Sequence, residues 1–365
     1  MQIPIAIGSM QDGSGDAVLD AARFNRHTFW CGQSGSGKTY ALGVVLERLL
    51  LNTGLPMIIF DPNSDFVGLG STRNSADPVL AERLSKIDTR VFRPGREGSD
   101  RLAIRYRDMD LASRAAVLRL DPIDDSEEFF EVLQLEAQFG AQDSPELMET
   151  LAASDRPEHR RLLQRIRNIG LMDWDLWARG DAGIEEVIAE RPDAAVLDLG
   201  GFRTPEEPHV AALAIVDRLW RERERRAPVL IVIDEAHNLC PAEPTSVTQQ
   251  RLVDRLIQIA AEGRKYGLWL LLSTQRPSKL HPQVLSQCDN LCLMKTNSPA
   301  DLDQLGSYFG AVPIEELYLA KDFGQGEALF AGGIAGGSKL VRMGERLTVE
   351  GGFDVKVPTV RSSLT

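Results

Sequence analysis

Four cysteines in 365 residues are too few, and too scattered, to staple a fold, so Cys31, Cys240, Cys288 and Cys292 read as structural thiols. Cys288 and Cys292 are near neighbours, but no second ligand pair accompanies them, which argues against a zinc site. Long apolar runs are also missing. Runs such as residues 229–233 and 268–272 have the length of a strand and fall far short of the ~20 residues that a bilayer span needs. The opening Met1-Gln2-Ile3-Pro4 has no basic stretch leading into an apolar one, so no signal peptide is expected, and the cytoplasm is the expected compartment. Positive charge is in deficit: 41 Lys and Arg against 53 Asp and Glu leave a net charge of −12. That excludes a uniformly basic nucleic-acid binder but allows basic groups that line only an inner channel. With 43% hydrophobic and 26% charged residues, the chain is long enough for one large or two moderate globular domains.

What is present is a complete phosphate-binding loop, Gly32-Gln33-Ser34-Gly35-Ser36-Gly37-Lys38-Thr39. It follows the apolar run Thr28-Phe29-Trp30-Cys31. It precedes a stretch in which Leu42, Val45, Leu46, Leu49 and Leu50 recur at helical spacing, so the context is strand, loop, helix. Glycines let the backbone curl until successive N–H groups point inward, and the positive end of the following helix adds to that field. In such a loop Lys38 reaches the β- and γ-phosphates of a nucleoside triphosphate and the Thr39 hydroxyl ligates Mg2+.

Further strand-length apolar runs at 57–60, 195–199, 229–233, 268–273 and 291–294 alternate with helical patterns, which predicts an α/β fold with a largely parallel sheet. Residues 105–191 interrupt this rhythm and read as an α-helical insert. Ser144-Pro145-Glu146 looks like a capped helix start, and the stripe Leu162, Leu163, Ile166, Ile169 stops at Gly170. The expected core is therefore discontinuous, 1–104 and 192–330. Residues 331–365 are expected as an extended, glycine-punctuated tail that leaves the core and reaches a neighbouring subunit.

Two strand ends carry the remaining chemistry. Residues 229–233 run into Asp234-Glu235-Ala236-His237. Asp234 at the strand tip can hold Mg2+ beside Thr39, and Glu235 can polarise the attacking water as general base. His237 fits a structural role better than a catalytic one. The run 268–272 ends in Ser273-Thr274-Gln275, where Gln275 can sense the γ-phosphate or position the water, or can be a plain polar strand end. Asp61, ending the strand after the loop helix, points to the same crevice, either toward the nucleotide or as a helix cap. The arginine-rich runs at 160–167 and 221–226 read as solvated helix faces because acidic residues alternate with the basic ones in the second. Arg276 and Lys279 are better placed to face a channel.

These pieces in order resemble the HerA-like group of the HerA/FtsK branch of P-loop ATPases. They are Asn25-Arg26-His27-Thr28, Phe60-Asp61-Pro62, Leu197-Asp198-Leu199-Gly200-Gly201-Phe202, Asp234-Glu235-Ala236-His237-Asn238, Glu262-Gly263-Arg264-Lys265-Tyr266-Gly267, Ser273-Thr274-Gln275-Arg276-Pro277-Ser278, Leu285-Ser286-Gln287-Cys288 and a tail around Gly351-Gly352. The resemblance implies a RecA-like (ASCE) core, ATP and Mg2+ as cofactors, and a homo-hexameric ring that moves double-stranded DNA. Its usual partner is a nuclease or another effector, in repair or defence against phage. It further implies that Arg26 is an arginine finger acting in a neighbouring subunit and that Arg264 lies near the nucleotide. Two departures stand out. Only about 30 residues precede the loop, where HerA proteins carry an N-terminal β-barrel, and Asn63-Ser64 stands where histidine-glycine is common. Membrane segments, present in conjugation-type relatives, are not expected here. Two other readings share the site: a nucleotide-gated scaffold that holds an effector without moving DNA, and a protein-directed motor of the secretion type.

Overall fold

The computed structural model describes residues 2–96, 100–139, 145–179 and 183–352. Eleven strands form one sheet: β1 (Pro4–Met10), β2 (Asp16–Asp20), β3 (Thr28–Cys31), β4 (Met57–Asp61), β5 (Thr89–Phe92), β6 (Ala194–Asp198), β7 (Val229–Ile233), β8 (Leu268–Thr274), β9 (Asn290–Met294), β10 (Glu327–Ala331) and β11 (Lys339–Met343). Their order across the sheet is β2-β1-β11-β10-β9-β3-β8-β7-β4-β6-β5. From β9 to β5 every neighbouring pair is parallel, and from β9 to β2 every pair is antiparallel. The halves differ in burial for that reason. Strands β3, β4, β6, β7 and β9 are buried at every residue, as strands covered on both faces must be, whereas β1 alternates buried with exposed positions.

Helix α1 (Lys38–Asn52) follows β3 and packs Leu42, Val45 and Leu46 against one face of the sheet, in a cluster with Trp30, Ile5 and Ile7. After α2 (Pro78–Leu84), the segment between β5 and β6 holds α3 (Leu111–Val117), α4 (Ser126–Phe139), α5 (Pro145–Ala153), α6 (Pro157–Ile169) and α7 (Ile184–Glu190). This helical insert packs on the opposite face with α8 (Glu207–Arg221) and α9 (Val247–Glu262). Buried Asp217 of α8 joins the two, accepting from Ser113 of α3 and pairing with Arg255 of α9. Helix α6 ends at Gly170, whose φ of 69° is the left-handed stop that its sequence signals. Ser144, expected to cap α5, lies outside the described residues. The arginines of α6 are engaged locally, Arg165 with Asp125 at 2.7 Å and Arg161 with Glu127 and Glu128. Three short helices complete the chain, α10 (Pro282–Leu285), α11 (Pro299–Tyr308) and α12 (Ile314–Tyr318).

The expected tail is different from its sequence reading. Residues 339–343 do not leave the core: they form β11, inserted between β1 and β10. Its partner β1 lies more than 300 residues earlier, and no local periodicity reports a pairing of that range. Residues 344–352 then fold back along α1 and the loop after β4, on the same chain. Residues 353–365 of the expected tail lie outside the described residues. Strands β1, β2 and β5 had no counterpart in the sequence reading, because each is short and only partly apolar.

Candidate functional site

The loop between β3 and α1 takes the shape that its glycines allow. Gly35 and Gly37 have φ of 80° and 87°, and a Cβ on Gly32 would lie 2.7 Å from Ser36 Oγ. The turn is pinned from the side by the end of β9, where Gln33 N donates to Lys295 O at 2.8 Å and Asn297 N donates to Gln33 Oε1 at 3.1 Å. Ser36 is buried and its hydroxyl has no partner. Ser34 and Gly35 at the tip are exposed, and Thr39 is half-buried in the first turn of α1.

Lys38, Asp234 and Glu235 meet behind that loop. Lys38 Nζ lies 2.7 Å from Asp234 Oδ1, 3.1 Å from Glu235 Oε1 and 2.9 Å from Ser273 Oγ, and Ser273 Oγ in turn donates to Asp234 Oδ1 at 2.7 Å. Burial alone would lower the Lys38 pKa, but the two carboxylates outweigh it and hold the ammonium above its ordinary value. Ser273 is a site residue that the sequence reading passed over. It lies at the tip of β8, and only the pairing of β8 between β3 and β7 reveals its role. Glu235 has φ of 43°, a strained conformation for a non-glycine residue that aims its side chain back toward Lys38. His237 Nδ1 stands 3.3 Å from Glu235 Oε2 and 2.9 Å from Thr274 Oγ1, so it braces the turn to β8.

Asp61 turns into the loop after β4 and caps no helix. Its oxygens accept the Asp65 and Phe66 N–H groups at 2.9 and 2.8 Å, which is capping of the loop after β4. Burial nevertheless pushes its carboxyl up to about 7 against those two bonds. Asp65, not singled out in the sequence, is pushed by burial up to about 6. Oxygens of Asp61, Asp65 and Asp234 lie within 4.8 Å of one another, and Asp234 Oδ2 is buried without a hydrogen-bond partner. This all-oxygen donor set, with the Thr39 hydroxyl nearby in sequence to Lys38, fits a hard divalent cation such as Mg2+. Gln275, Arg276 and Lys279 are exposed just past the end of β8.

The two arginines lie elsewhere. Arg26 and Arg264 precede β3 and β8, so they occupy the edge of the sheet where the parallel strands begin, about 20 Å from the loop along the seven residues of β8. Arg264, expected near the nucleotide, instead pairs with Asp289 at 2.6 Å and does not join the loop of its own chain. Arg26 is exposed and, among the described residues, its guanidinium has no hydrogen bond or ion pair. Between them His27 is buried. Desolvation, and next the Arg264 charge, depress its pKa to about 4, and its Nδ1 accepts from Leu270 N at 2.9 Å.

A phosphate loop on β3, an Asp-Glu pair on β7 and one parallel strand between them define a P-loop ATPase of the RecA-like, additional-strand kind. Comparison with known proteins points to the same class. Residues 5–170 match the family described as Helicase HerA, central domain, and residues 207–296 match the ATPase family associated with various cellular activities (AAA). Over these residues the chain is similar to HerA-like proteins. It is 25% identical over 320 residues, 81% of this chain and 60% of the relative, to the DNA double-strand break repair helicase HerA of Saccharolobus solfataricus. It is 31% identical over 105 residues, 29% of this chain and 18% of the relative, to the protein of that name from Pyrococcus furiosus. The matched part is thus less than two thirds of either relative. The structure of VirB4 of Thermoanaerobacter pseudethanolicus has the same fold, with a TM-score of 0.65 at 18% identity over 93% of this chain and 96% of that one. Among the described residues, no helix is long and apolar enough to cross a membrane.

Proposed function

We propose that this chain is a ring-forming Mg-ATP hydrolase that translocates on double-stranded DNA, as a homo-hexamer working with a nuclease or other effector in repair or phage defence. The observation that carries the hydrolytic part is the network of Lys38, Asp234, Glu235 and Ser273 at one sheet edge. Lys38 is already poised between two carboxylates and exchanges them for the β- and γ-phosphates when ATP enters. The backbone N–H groups of residues 33–37 cradle the phosphates. Releasing Lys38 frees Glu235 to accept a proton from the attacking water, with His237 and Thr274 fixing its orientation. Gln275, exposed at the neighbouring strand end, positions that water. Thr39 and Asp234 would hold Mg2+, which neutralises charge on the β- and γ-phosphates.

Arg26 supports a shared site. It cannot serve its own loop across the sheet, yet it is an exposed cation, unpaired among the described residues, on the opposite edge, where a ring would present it to the next subunit. DNA as substrate rests on the names of the HerA relatives. Adding duplex DNA to the purified chain tests this. A several-fold rise in ATP turnover supports the motor, whereas a rate indifferent to DNA, with assembly still nucleotide-dependent, would leave the scaffold or the protein-directed motor.

A further inference from the structure

Among the described residues, Arg346 is the largest charged side chain that is fully enclosed, and it has no place in the mechanism above. Its guanidinium is fully enclosed, as is the carboxylate of Glu47, 3.6 Å from its Nε. A buried ion pair is by itself weak evidence for stability, since desolvation can cancel its attraction. The geometry around this one asks for another explanation.

Glu47 lies on α1, the helix that begins with Lys38 and Thr39. Its carboxylate accepts three further bonds from the returning chain: from Leu347 N and Thr348 N at 2.8 Å each, and from Thr348 Oγ1 at 2.5 Å. Arg346 N also donates to the hydroxyl of Tyr40, the residue after Thr39, at 2.8 Å. The guanidinium crosses α1 at Gly43, where a Cβ would lie 2.6 Å from Arg346 Nε. Its far side reaches the loop after β4. It sits over the Phe66 ring at 5.5 Å, and Nη2 is 3.4 Å from Asp65 O. The strap continues the same grip through Val349 N to Ser71 O at 2.8 Å and Gly351 N to Asp65 O at 3.1 Å. One enclosed side chain therefore touches both elements that meet at the site: the helix carrying Thr39 and the loop carrying Asp65.

We propose that residues 344–352 act as a strap whose buried Arg346–Glu47 latch sets the Asp65 loop against the phosphate-loop helix, making Arg346 a positioning residue for the metal site of Asp61, Asp65 and Asp234. It rests on the nucleotide-site reading above. Arg346→Met alone would strand Glu47 as a lone buried charge, so it is not the test. Two variants of the full chain are. Glu47→Gln with Arg346→Met removes both charges at similar volume. Gly351→Ala leaves the latch intact but puts a Cβ 1.8 Å from Ser64 O, prying the strap off the Asp65 loop. Mn2+ affinity in the presence of ADP, read by electron paramagnetic resonance, should fall at least ~10-fold in each variant, while ADP affinity without metal stays within about two-fold. Thermal melting confirms that each is folded. Unchanged Mn2+ affinity in either folded variant overturns the proposal. Lys38→Ala separates the two claims: if it retains full ADP affinity, the nucleotide-site reading fails, whatever the strap variants do.

Discussion

The two edges of the parallel sheet are built in opposite ways. Where the strands end, Lys38, Asp234, Glu235 and Ser273 are buried and bonded to one another, and buried Asp61 caps the adjoining loop. Where the strands begin, Arg26 stands exposed and Arg264 is half-buried on Asp289. The first edge gathers the residues proposed to hold phosphate, metal and water, and the second carries an exposed cation, Arg26, away from the loop of its own chain. On the proposed reading, the buried edge binds the nucleotide and carries the base, and the exposed edge acts on a neighbouring chain.

The comparison can be broken at either edge. Lys38→Ala should give the largest effect, abolishing ATP binding in a titration with a fluorescent nucleotide. It also leaves Asp234 and Glu235 facing each other without their cation, so melting should fall as well. Arg26→Ala should leave binding intact and lower steady-state turnover ~10³–10⁵-fold, the usual contribution of an arginine finger. Turnover close to wild type in that variant would return Arg26 to a plain surface residue. Glu235→Gln should also bind ATP and lose about 10²–10⁴-fold in turnover, the range expected for a general base.

A third region, in the helical insert, buries a carboxylate away from both edges. Glu185 in the helical insert is 2% exposed, and burial pushes its carboxyl up to about 7. An acid whose pKa is higher folded than unfolded binds its proton more tightly in the folded state. Its contribution is therefore complete below pH ~4.5 and is lost as pH rises to about 7. Glu185→Gln should melt with wild type at pH 4.5 and above it at pH 8, by at most roughly 3 kcal/mol in stability. Equal melting at both values would deny that Glu185 is desolvated. ATP turnover at saturating Mg2+ should not change, unlike at the two edges.

Much of the buried edge was legible because its residues are fixed by local spacing. The phosphate loop and the Asp234-Glu235 strand end are continuous in sequence, and their parallel strands announce themselves as fully apolar runs. Ser273, Asp65 and Arg346 were not legible as site residues. Each matters only through a partner far away in the sequence: Ser273 through Lys38, Asp65 through Asp234, Arg346 through Glu47. The same holds for β11 and the strap, which read as a departing tail because their anchors lie in the first 75 residues. The position of Arg264 relative to its own loop was hidden for the reverse reason. Its motif sits one strand-length before the site in sequence, and a parallel strand carries the chain from one edge to the other.

The central claim is that hydrolysis needs both edges, one from each of two chains. Mixing separately inactive Arg26→Ala and Glu235→Gln chains in equal amounts tests it most directly. Where the finger and the base come from different subunits, about a quarter of the interfaces in a mixed ring regain both, and turnover should return to that order. A mixture as inactive as its components, although assembly is shown to exchange subunits, would contradict the account.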